Sequence, residues 1–199
     1  MNNPKDYHLR SGGAQGSDLA WDRIGREFNI PAENMHHYRP EDYHDAPLDT
    51  RLLIDASVEY AADCLGRPWN FKGIDLVKRN WFQVANAESI FAIGRIIKPG
   101  ENNFKGFKNK SKYEVVDGGT GWAVQMAINM GKPVYVFDLN REHGWYYWGG
   151  NSFEPLIIKD IILPHTPALT KHFAGIGTRE ITPEGSQAIR RVYEKTFGR

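Results

Sequence analysis

Glycine-rich turns are the parts of this sequence best suited to hold a charged ligand. Three of them occur, within residues 11–18, 118–121 and 174–179. Glycine lacks a Cβ atom, so it lets a ligand approach the main chain closely. A turn that opens a helix also presents backbone N–H groups and the positive end of the helix dipole, which suits phosphate. Any one such turn could instead serve only to pack a helix against a sheet.

The segments around these turns alternate between strands and helices. Apolar runs such as Ser89 to Gly94 and Val134 to Phe137 predict buried strands. Apolar residues at helical spacing, as in Ala123 to Met130, predict helices between them. This alternation predicts an α/β fold with a mainly parallel sheet, in which ligands bind beyond the carboxyl ends of the strands. The three turns are therefore expected to converge on one crevice.

Charged and polar side chains accompany the turns. Arg10, Arg79 and Arg179 are expected to supply positive charge, which can grip a phosphate. Asp18 is expected either to cap the following helix or to contact the ligand. The expected binding residues are Arg10, Ser11, Gly12, Gly13, Ala14, Gly16, Ser17, Asp18, Arg79, Asn80, Gly118, Gly119, Thr120, Gly121, Gly175, Gly177, Thr178 and Arg179.

The region between the first turn and the middle of the chain contains two adjacent histidines. His36 and His37 lie in a predicted strand over residues 35–40, where neighbouring side chains point to opposite faces, so no metal site is predicted. Residues 41–50 are polar and predict a loop. A helix marked by apolar residues from Leu52 onwards is expected to end near Gly66.

A long basic stretch, residues 95–114, lies between a predicted strand and the central glycine turn. It contains Lys98, Lys105, Lys108, Lys110 and Lys112. Long irregular stretches in compact domains are often functional, so a basic lid over the site is one hypothesis for it. A solvated hairpin is the alternative, and it is slightly favoured.

A second distinctive stretch, residues 143–158, carries two aromatic runs around a Gly-Gly-Asn turn. This pattern predicts a β-hairpin inserted into the fold. Exposed rings there could face a partner subunit or stack on a base. The partner subunit is favoured, so a homo-oligomer is expected.

Composition excludes several classes of protein. The length of 199 residues predicts one domain with a sizeable core, spanning residues 1–199. A formal net charge of +1 gives no strong field directed at nucleic acid or membrane. Cys64 is the only cysteine, so no disulfide can form within the chain. The polar start and the lack of a long apolar run predict a cytoplasmic protein without a signal peptide or membrane span.

The three turns together resemble motifs of the SLOG superfamily, a group of Rossmann-like domains that includes DprA and the LOG enzymes. Ser11 to Asp18, Gly118 to Gly121 and Ala174 to Arg179 carry the resemblance, together with Lys78 to Gln83, and the nearest likeness is to phage-type DprA-like proteins. It implies a Rossmann-like three-layer sandwich. In relatives the unit resembling residues 172–179 opens the chain, so this sequence resembles a circularly permuted form.

The resemblance implies a nucleotide ligand but does not transfer an activity. LOG enzymes have a catalytic glutamate soon after the glycine motif, whereas Trp122 to Gln125 follow Gly121 here without a carboxylate. The sequence therefore predicts a protein that senses or sequesters a nucleotide or nucleotide-derived small molecule, without catalysis, in a bacterial cell or phage-infected host. The alternatives are a nucleotide hydrolase acting on an N-glycosidic or phosphate bond, and DprA-like binding of single-stranded DNA, which needs a basic groove with aromatic platforms.

Overall fold

The computed structural model of the protein describes residues 2–140, 144–158 and 163–198 and contains six α-helices and eleven strands within them. The helices are α1 (Ser17–Glu27), α2 (Pro40–His44), α3 (Leu48–Leu65), α4 (Ile74–Ala85), α5 (Thr120–Asn129) and α6 (Pro183–Phe197). The strands are β1 (His8–Ser11), β2 (Met35–His37), β3 (Ser89–Gly94), β4 (Ile96–Ile97), β5 (Val115–Val116), β6 (Val134–Asp138), β7 (Trp145–Trp148), β8 (Phe153–Pro155), β9 (Ile157–Ile158), β10 (Leu163–Pro164) and β11 (His172–Gly177).

A seven-stranded sheet in the order β2-β1-β11-β3-β6-β7-β8 forms the middle layer. Strands β2 to β6 in this order pair in parallel, and β7 and β8 pair antiparallel at one edge. Helices α1 and α6 cover one face and α3, α4 and α5 the other. The predicted α/β three-layer sandwich with a mainly parallel sheet is confirmed.

Side-chain alternation along the strands divides the core between these two faces. Leu9 and Phe173 pack against Trp21 and Tyr193 of α1 and α6. Ala174, the next residue of β11, packs on the α5 side. The buried Tyr193 hydroxyl donates to the Trp21 carbonyl over 2.9 Å, so burial of this phenol leaves its polar atom satisfied.

The first and last strands of the chain are neighbours in the sheet. β1 pairs in parallel with β11, with His8 opposite His172 in register. Asn2 Nδ2 donates to the Thr196 carbonyl over 2.8 Å, so the two ends of the described chain lie together. The pairing expected from the permuted motif order is confirmed, whereas Met1 and Arg199 lie outside the described residues.

The polar loop expected over residues 41–50 is wrong, because α2 forms there and α3 already begins at Leu48. Pro40 occupies the first turn of α2, where its missing N–H costs nothing, and Asp42 accepts the Arg39 backbone N–H. Tyr43 anchors this short helix by burying its ring beneath the Lys78 ammonium. A helix held by one buried ring leaves no apolar periodicity in the sequence.

Helix α3 is present, but the leucines that mark it in the sequence do not face the core. Leu52 and Leu53 are 59% and 55% exposed. The buried side consists of Ile54, Val58, Ala61, Ala62 and Leu65. Across the described ranges, no helix has both the length and the apolar character required to cross a membrane.

The aromatic hairpin is present as β7 and β8, and it continues the main sheet beyond β6. The prediction that the rings of this hairpin are exposed is wrong for most of them. Trp145 is buried on the α1 and α6 side of the sheet at 3% exposure, and Tyr146 and Phe153 are buried on the α5 side at 4% each. These rings are therefore part of the core and offer neither a base nor a partner subunit a surface. His143, the first residue of the expected hairpin, lies outside the described residues.

Candidate functional site

The first glycine turn (residues 12–16) and the third glycine turn (residues 177–181) are in direct contact. The backbone N–H and the hydroxyl of Ser17 both donate to the Thr178 carbonyl, over 3.0 and 2.9 Å. Gly16 has a φ of 92°, and a Cβ atom there would lie 2.2 Å from the Arg179 carbonyl oxygen. Glycine is therefore required at this position by packing between turns as well as by backbone conformation.

Asp18 occupies the anion-binding position of the first glycine turn. Its carboxylate accepts the Gly12 N–H over 3.2 Å and also interacts with the backbone N–H groups of Ala14 and Gly177. Burial raises the pKa of Asp18 to about 6, and the Arg79 charge and these backbone hydrogen bonds oppose the rise. The anion held between the first and third turns is thus a side chain of the protein itself.

Arg79 closes the same turn from α4. Its Nη1 atom donates to the carbonyls of Gly12 and Tyr38 over 2.7 and 3.0 Å. A Cβ atom on Gly12 would lie 1.8 Å from that Nη1 atom. Gly12 therefore makes room for an internal guanidinium in this structure, in the place where sequence reasoning expects a ligand.

The second glycine turn (residues 117–120) differs because it faces open space. Helix α5 begins there without a side-chain cap, and Gly118 and Gly119 are exposed. A Cβ atom on either glycine would meet no heavy atom within 4 Å. At such a helix terminus, the N–H groups of the first turn can donate hydrogen bonds to a ligand anion.

Arg67 supports the second glycine turn, although the sequence gives no sign of this role. It follows α3 directly, and its two terminal nitrogens donate to the carbonyls of Gly118 and Val116 over 2.9 and 3.2 Å. The backbone of Asp117 is held as well, because its N–H donates to the Arg95 carbonyl over 2.9 Å. Two elements distant in sequence thus fix the turn.

The end of β3 brings the second and third glycine turns near each other. Thr178 N–H donates to the Ile93 carbonyl over 3.0 Å, while the Asp117 N–H donates to that of Arg95. These two carbonyls are two residues apart, about 7 Å along an extended chain. The first and third turns follow the adjacent parallel strands β1 and β11, as expected, whereas the second turn follows β5, which pairs antiparallel with β4 in a separate two-stranded sheet. Of the three turns, the second is the one whose glycines face open space.

The basic hairpin (residues 98–112) adjoins the second glycine turn. Its tip is closed by the Asn103 N–H, which donates to the Phe107 carbonyl over 2.8 Å, and by the Phe107 N–H, which donates to the Asn103 side-chain oxygen over 2.9 Å. A role as a lid over the site stays a prediction. Phe104 N–H donates to Asp117 Oδ2 over 3.4 Å, and the Phe104 ring is 63% exposed. Arg95 and Lys105 lie 6.0 and 5.6 Å from the centre of that ring. An exposed ring between two cations is thus placed beside the open helix terminus.

Several expected site residues lie elsewhere. Hypothetical Cβ atoms on Gly175, Gly121 and Gly177 would lie 2.6 Å from Trp21 Cγ, 1.9 Å from the Val116 oxygen and 2.6 Å from the Ile93 oxygen, so packing accounts for these glycines. Ser11, Ser17 and Asn80 are buried, while Gly13, Ala14 and Thr120 are partly exposed and Arg179 is exposed. Arg10 contacts Tyr38 and His172 on a face of the sheet instead of the turns.

His37 is a residue beside the first glycine turn that sequence reasoning did not select. Its Nε2 atom lies 2.9 Å from Asp22 Oδ2, and its ring lies against Gly13. A buried carboxylate that orients an imidazole is an arrangement used in acid–base catalysis. The adjacent pair His36 and His37 is the only sequence signal for this arrangement, and such a pair suggests a metal site instead of an acid–base group.

Comparison with known proteins adds no relative: neither family models, curated proteins nor solved structures match this chain.

Proposed function

We propose that the protein binds a nucleotide or nucleotide-derived small molecule, with a phosphate at the N-terminus of α5 and the base against Phe104. The observation that carries this proposal is the open second glycine turn beneath an exposed ring flanked by cations. Turn and ring are joined by the hydrogen bond from the Phe104 N–H to Asp117. One small ligand can therefore reach both.

The phosphate part of the proposal rests on the uncapped start of α5. The helix dipole places partial positive charge there, and Gly118 and Gly119 leave the backbone accessible. Arg95 lies 6.0 Å from the centre of the Phe104 ring, and Arg179 is exposed at the third turn. The buried Asp117 carboxylate accepts the Gly118 N–H over 2.6 Å, so the phosphate is assigned to the N–H groups that follow it in the first turn of α5.

The base part of the proposal rests on Phe104. Stacking of a base on an aromatic ring contributes about 1–3 kcal/mol and tolerates any base. The adjacent Arg95 and Lys105 strengthen the attraction for a phosphorylated ligand, since both cations lie within about 6 Å of the ring.

Binding without turnover is the favoured mode. Gln125 occupies the helix turn where LOG enzymes have their glutamate, and its amide donates to Asn129 over 2.9 Å. The hydrolase alternative is supported by His37 with Asp22 and by the raised pKa of Asp18. Incubation with a nucleotide panel, followed by chromatography for released base or phosphate, separates these two functions.

Single-stranded DNA binding is the second alternative, favoured by the five exposed lysines and the two exposed phenylalanines of the basic hairpin. It predicts a steep loss of affinity with salt, because each phosphate contact releases counterions. The nucleotide proposal predicts a shallow salt dependence for a mononucleotide.

The central experiment is a mass spectrum of small molecules released from the purified protein, followed by calorimetric titration of the nucleotide found or of the best binder in a panel. Gly119→Val should abolish binding while the variant still folds. Arg179→Ala should weaken binding by about 1.5–3 kcal/mol, roughly tenfold to a hundredfold. Arg191→Ala, an exposed arginine on α6, is the matched control. Unchanged affinity in both folded site variants would refute the proposal.

Membership of the SLOG superfamily, a homo-oligomer and a cytoplasmic location stay predictions. Light scattering of the purified protein tests the homo-oligomer.

A further inference from the structure

Three histidines and one arginine form a cluster on the face of the sheet that α4 partly covers. The His8 ring stacks on His172 and His36, with ring centres 4.7 and 5.8 Å apart. Arg10, two residues after His8, places Nη2 3.4 Å from His172 Nδ1. We name these four residues the histidine cluster.

Strand register explains why these side chains meet. β2, β1 and β11 are adjacent and parallel, with His8 opposite His172 and Arg10 opposite His36. The intervening Leu9 points into the opposite core. All four members of the cluster are partly exposed, so solutes can reach them. The cluster is separate from the second glycine turn, which follows β5.

The arginine in this cluster lacks the partner that a partly buried guanidinium usually has. Its recorded side-chain contacts are the Tyr38 hydroxyl, at 3.4 Å, and the His172 ring. Its Nε atom is buried and has no hydrogen-bond partner among the described residues. Within the same residues Arg10 makes no ion pair. Its charge is therefore available to an anion from solution.

The neighbouring charged groups do not neutralise the positive charge of Arg10. Glu88, at the α4–β3 junction, accepts the backbone N–H of His172 over 3.2 Å. The Lys171 ammonium lies 3.7 Å from Asp6, and His37 of β2 lies 2.9 Å from Asp22. Residues Tyr38 and Phe82 add only uncharged rings.

The histidine cluster is not suited to bind a cation. In the described parts of the chain no group of three or more histidine, cysteine, aspartate or glutamate side chains is arranged to hold a metal ion. The permanent charge of Arg10 would also repel a metal at these rings.

We propose that the histidine cluster is a second binding site, for the dianionic phosphate of a phosphate monoester, held by the Arg10 guanidinium and by imidazole N–H groups of His8, His36 and His172. A dianion gains more than a phosphodiester monoanion from a site whose positive charge grows by proton uptake. The terminal phosphate of a small molecule is thereby favoured over the backbone of a nucleic acid.

Proton uptake gives this site a distinct pH dependence. Burial lowers the pKa of His8, and the neighbouring His172 and Arg10 lower it further. Burial also lowers the pKa of His36, followed by the charges of Arg10, His8, His172 and His37. The imidazoles of His8 and His36 are therefore largely neutral at neutral pH, and a bound anion should raise their pKa values and draw in protons. Affinity for an anion of constant charge should increase as the pH falls through the imidazole range, whereas a phosphate monoester loses its second charge below its second pKa of about 6.

The test is a titration of the full chain followed through the histidine ring signals by NMR, at pH of about 5.5 and about 8, on either side of the imidazole range. Sulfate is the first probe because its charge stays constant over this range. Glycerol 3-phosphate and dimethyl phosphate then compare a monoester with a diester at pH of about 7, where the monoester is largely dianionic because its second pKa is about 6. We expect sulfate to bind at least about tenfold more tightly at the lower pH. The monoester should bind more tightly than the diester.

Three variants decide the assignment. Arg10→Gln should weaken sulfate binding about tenfold or more, whereas Arg10→Lys should retain part of it. His44→Gln removes an exposed imidazole on α2 and should change nothing. Gly119→Val should also leave sulfate binding here unchanged, so failure of this site and failure of the nucleotide proposal are distinguishable. Equal affinity in folded Arg10→Gln, an equal response of His44, or equal binding of the diester would overturn the proposal.

Discussion

Gly118 and Gly119 have the same open surroundings but different backbone angles. Gly118 has a φ of 65°, in the left-handed region, whereas Gly119 has a φ of −65°. We expect Gly118→Ala to lower the free energy of unfolding by about 1–2 kcal/mol. Gly119→Ala should be neutral or stabilising by up to about 1 kcal/mol.

Chemical denaturation of both variants measures this difference, and each serves as the control for the other. Equal destabilisation would contradict the backbone angles described here. The sequence predicts the turn but not this asymmetry, since adjacent glycines look alike until the start of α5 fixes which one is helical. The left-handed φ lies at Gly118, whereas Gly119 has a helical φ.

Asp18 should make folding less favourable as the pH rises. Its pKa rises on folding from 3.8 to about 6, so the ionised form costs stability. The cost is absent below about pH 4 and complete above about pH 6, where two pKa units correspond to about 3 kcal/mol. Compared with the wild type, Asp18→Asn should therefore gain up to about 3 kcal/mol of stability between pH of about 4 and about 7.

Urea unfolding across this range tests the change in pKa. Asp49→Asn, an exposed carboxylate at the start of α3, is the control and should follow the wild-type profile. If the profiles of Asp18→Asn and wild type ran parallel, the carboxylate would not be shifted by burial.

At the scale of an element, the basic hairpin combines an exposed tip with a fixed base. Asn109 is buried, and its amide donates to the carbonyls of Ile97, Lys98 and Tyr113 over 3.1–3.3 Å. Limited proteolysis should therefore cut first near Phe104 and Phe107, while the base of the hairpin stays protected.

Asn109→Ala should open the base of the hairpin. Loss of a buried amide leaves carbonyls without donors, which costs about 1–3 kcal/mol. Cleavage should accelerate by roughly tenfold to a hundredfold where opening is at equilibrium. Asn102→Ala, an exposed amide of the same hairpin, is the control. Equal cleavage rates in the two variants would show that Asn109 does not hold the element, and a nucleotide that covers the hairpin should slow cleavage in the wild type.

Helix α3 shows that the sequence can predict an element without predicting which of its sides is buried. Leu48, Leu52 and Tyr60 have helical spacing, and so do Ile54, Val58 and Leu65. Periodicity therefore predicts the helix without deciding which side is buried. Packing against α4 and α5 decides it. By contrast α6 was predictable to its buried face, since Thr182 accepts the Gly185 N–H, Pro183 follows it, and a single apolar stripe runs along the helix.

For the whole molecule, the pairing of β1 with β11 predicts tolerance of a changed chain order. A variant with the ends joined by a short glycine–serine linker and new ends between Pro167 and Ala168 should fold. Ala168 is exposed, and the cut leaves β11 and α6 intact. Circular dichroism and cooperative thermal unfolding would measure this, and a cut inside β3 is the control that should fail. A collapsed or aggregated permutant would contradict the prediction.

The contact between the first and third turns was predictable from the strand–helix alternation, because β1 and β11 are parallel and end at one edge of the sheet. The place of the second turn was not predictable, since β5 pairs antiparallel with β4 outside this sheet. The groups that occupy the turns were not predictable either. Arg67, Arg79 and Asp18 reach the turns from separate helices or their ends, and their contacts depend on how α3, α4 and α1 pack. The histidine cluster was hidden for the same reason, since its members lie on three strands far apart in sequence.

The carboxylate held in the first glycine turn has a consequence for ligand selection. A tethered group competes at an effective concentration in the millimolar range or higher, so a dissolved phosphate displaces it only at a large excess. At the second turn the Asp117 carboxylate accepts the Gly118 N–H over 2.6 Å, and the N–H groups that follow at the start of α5 are the place left for a ligand anion. Further phosphates on a ligand add little affinity at such a site. The site therefore selects a ligand by the spacing between one phosphate and one ring.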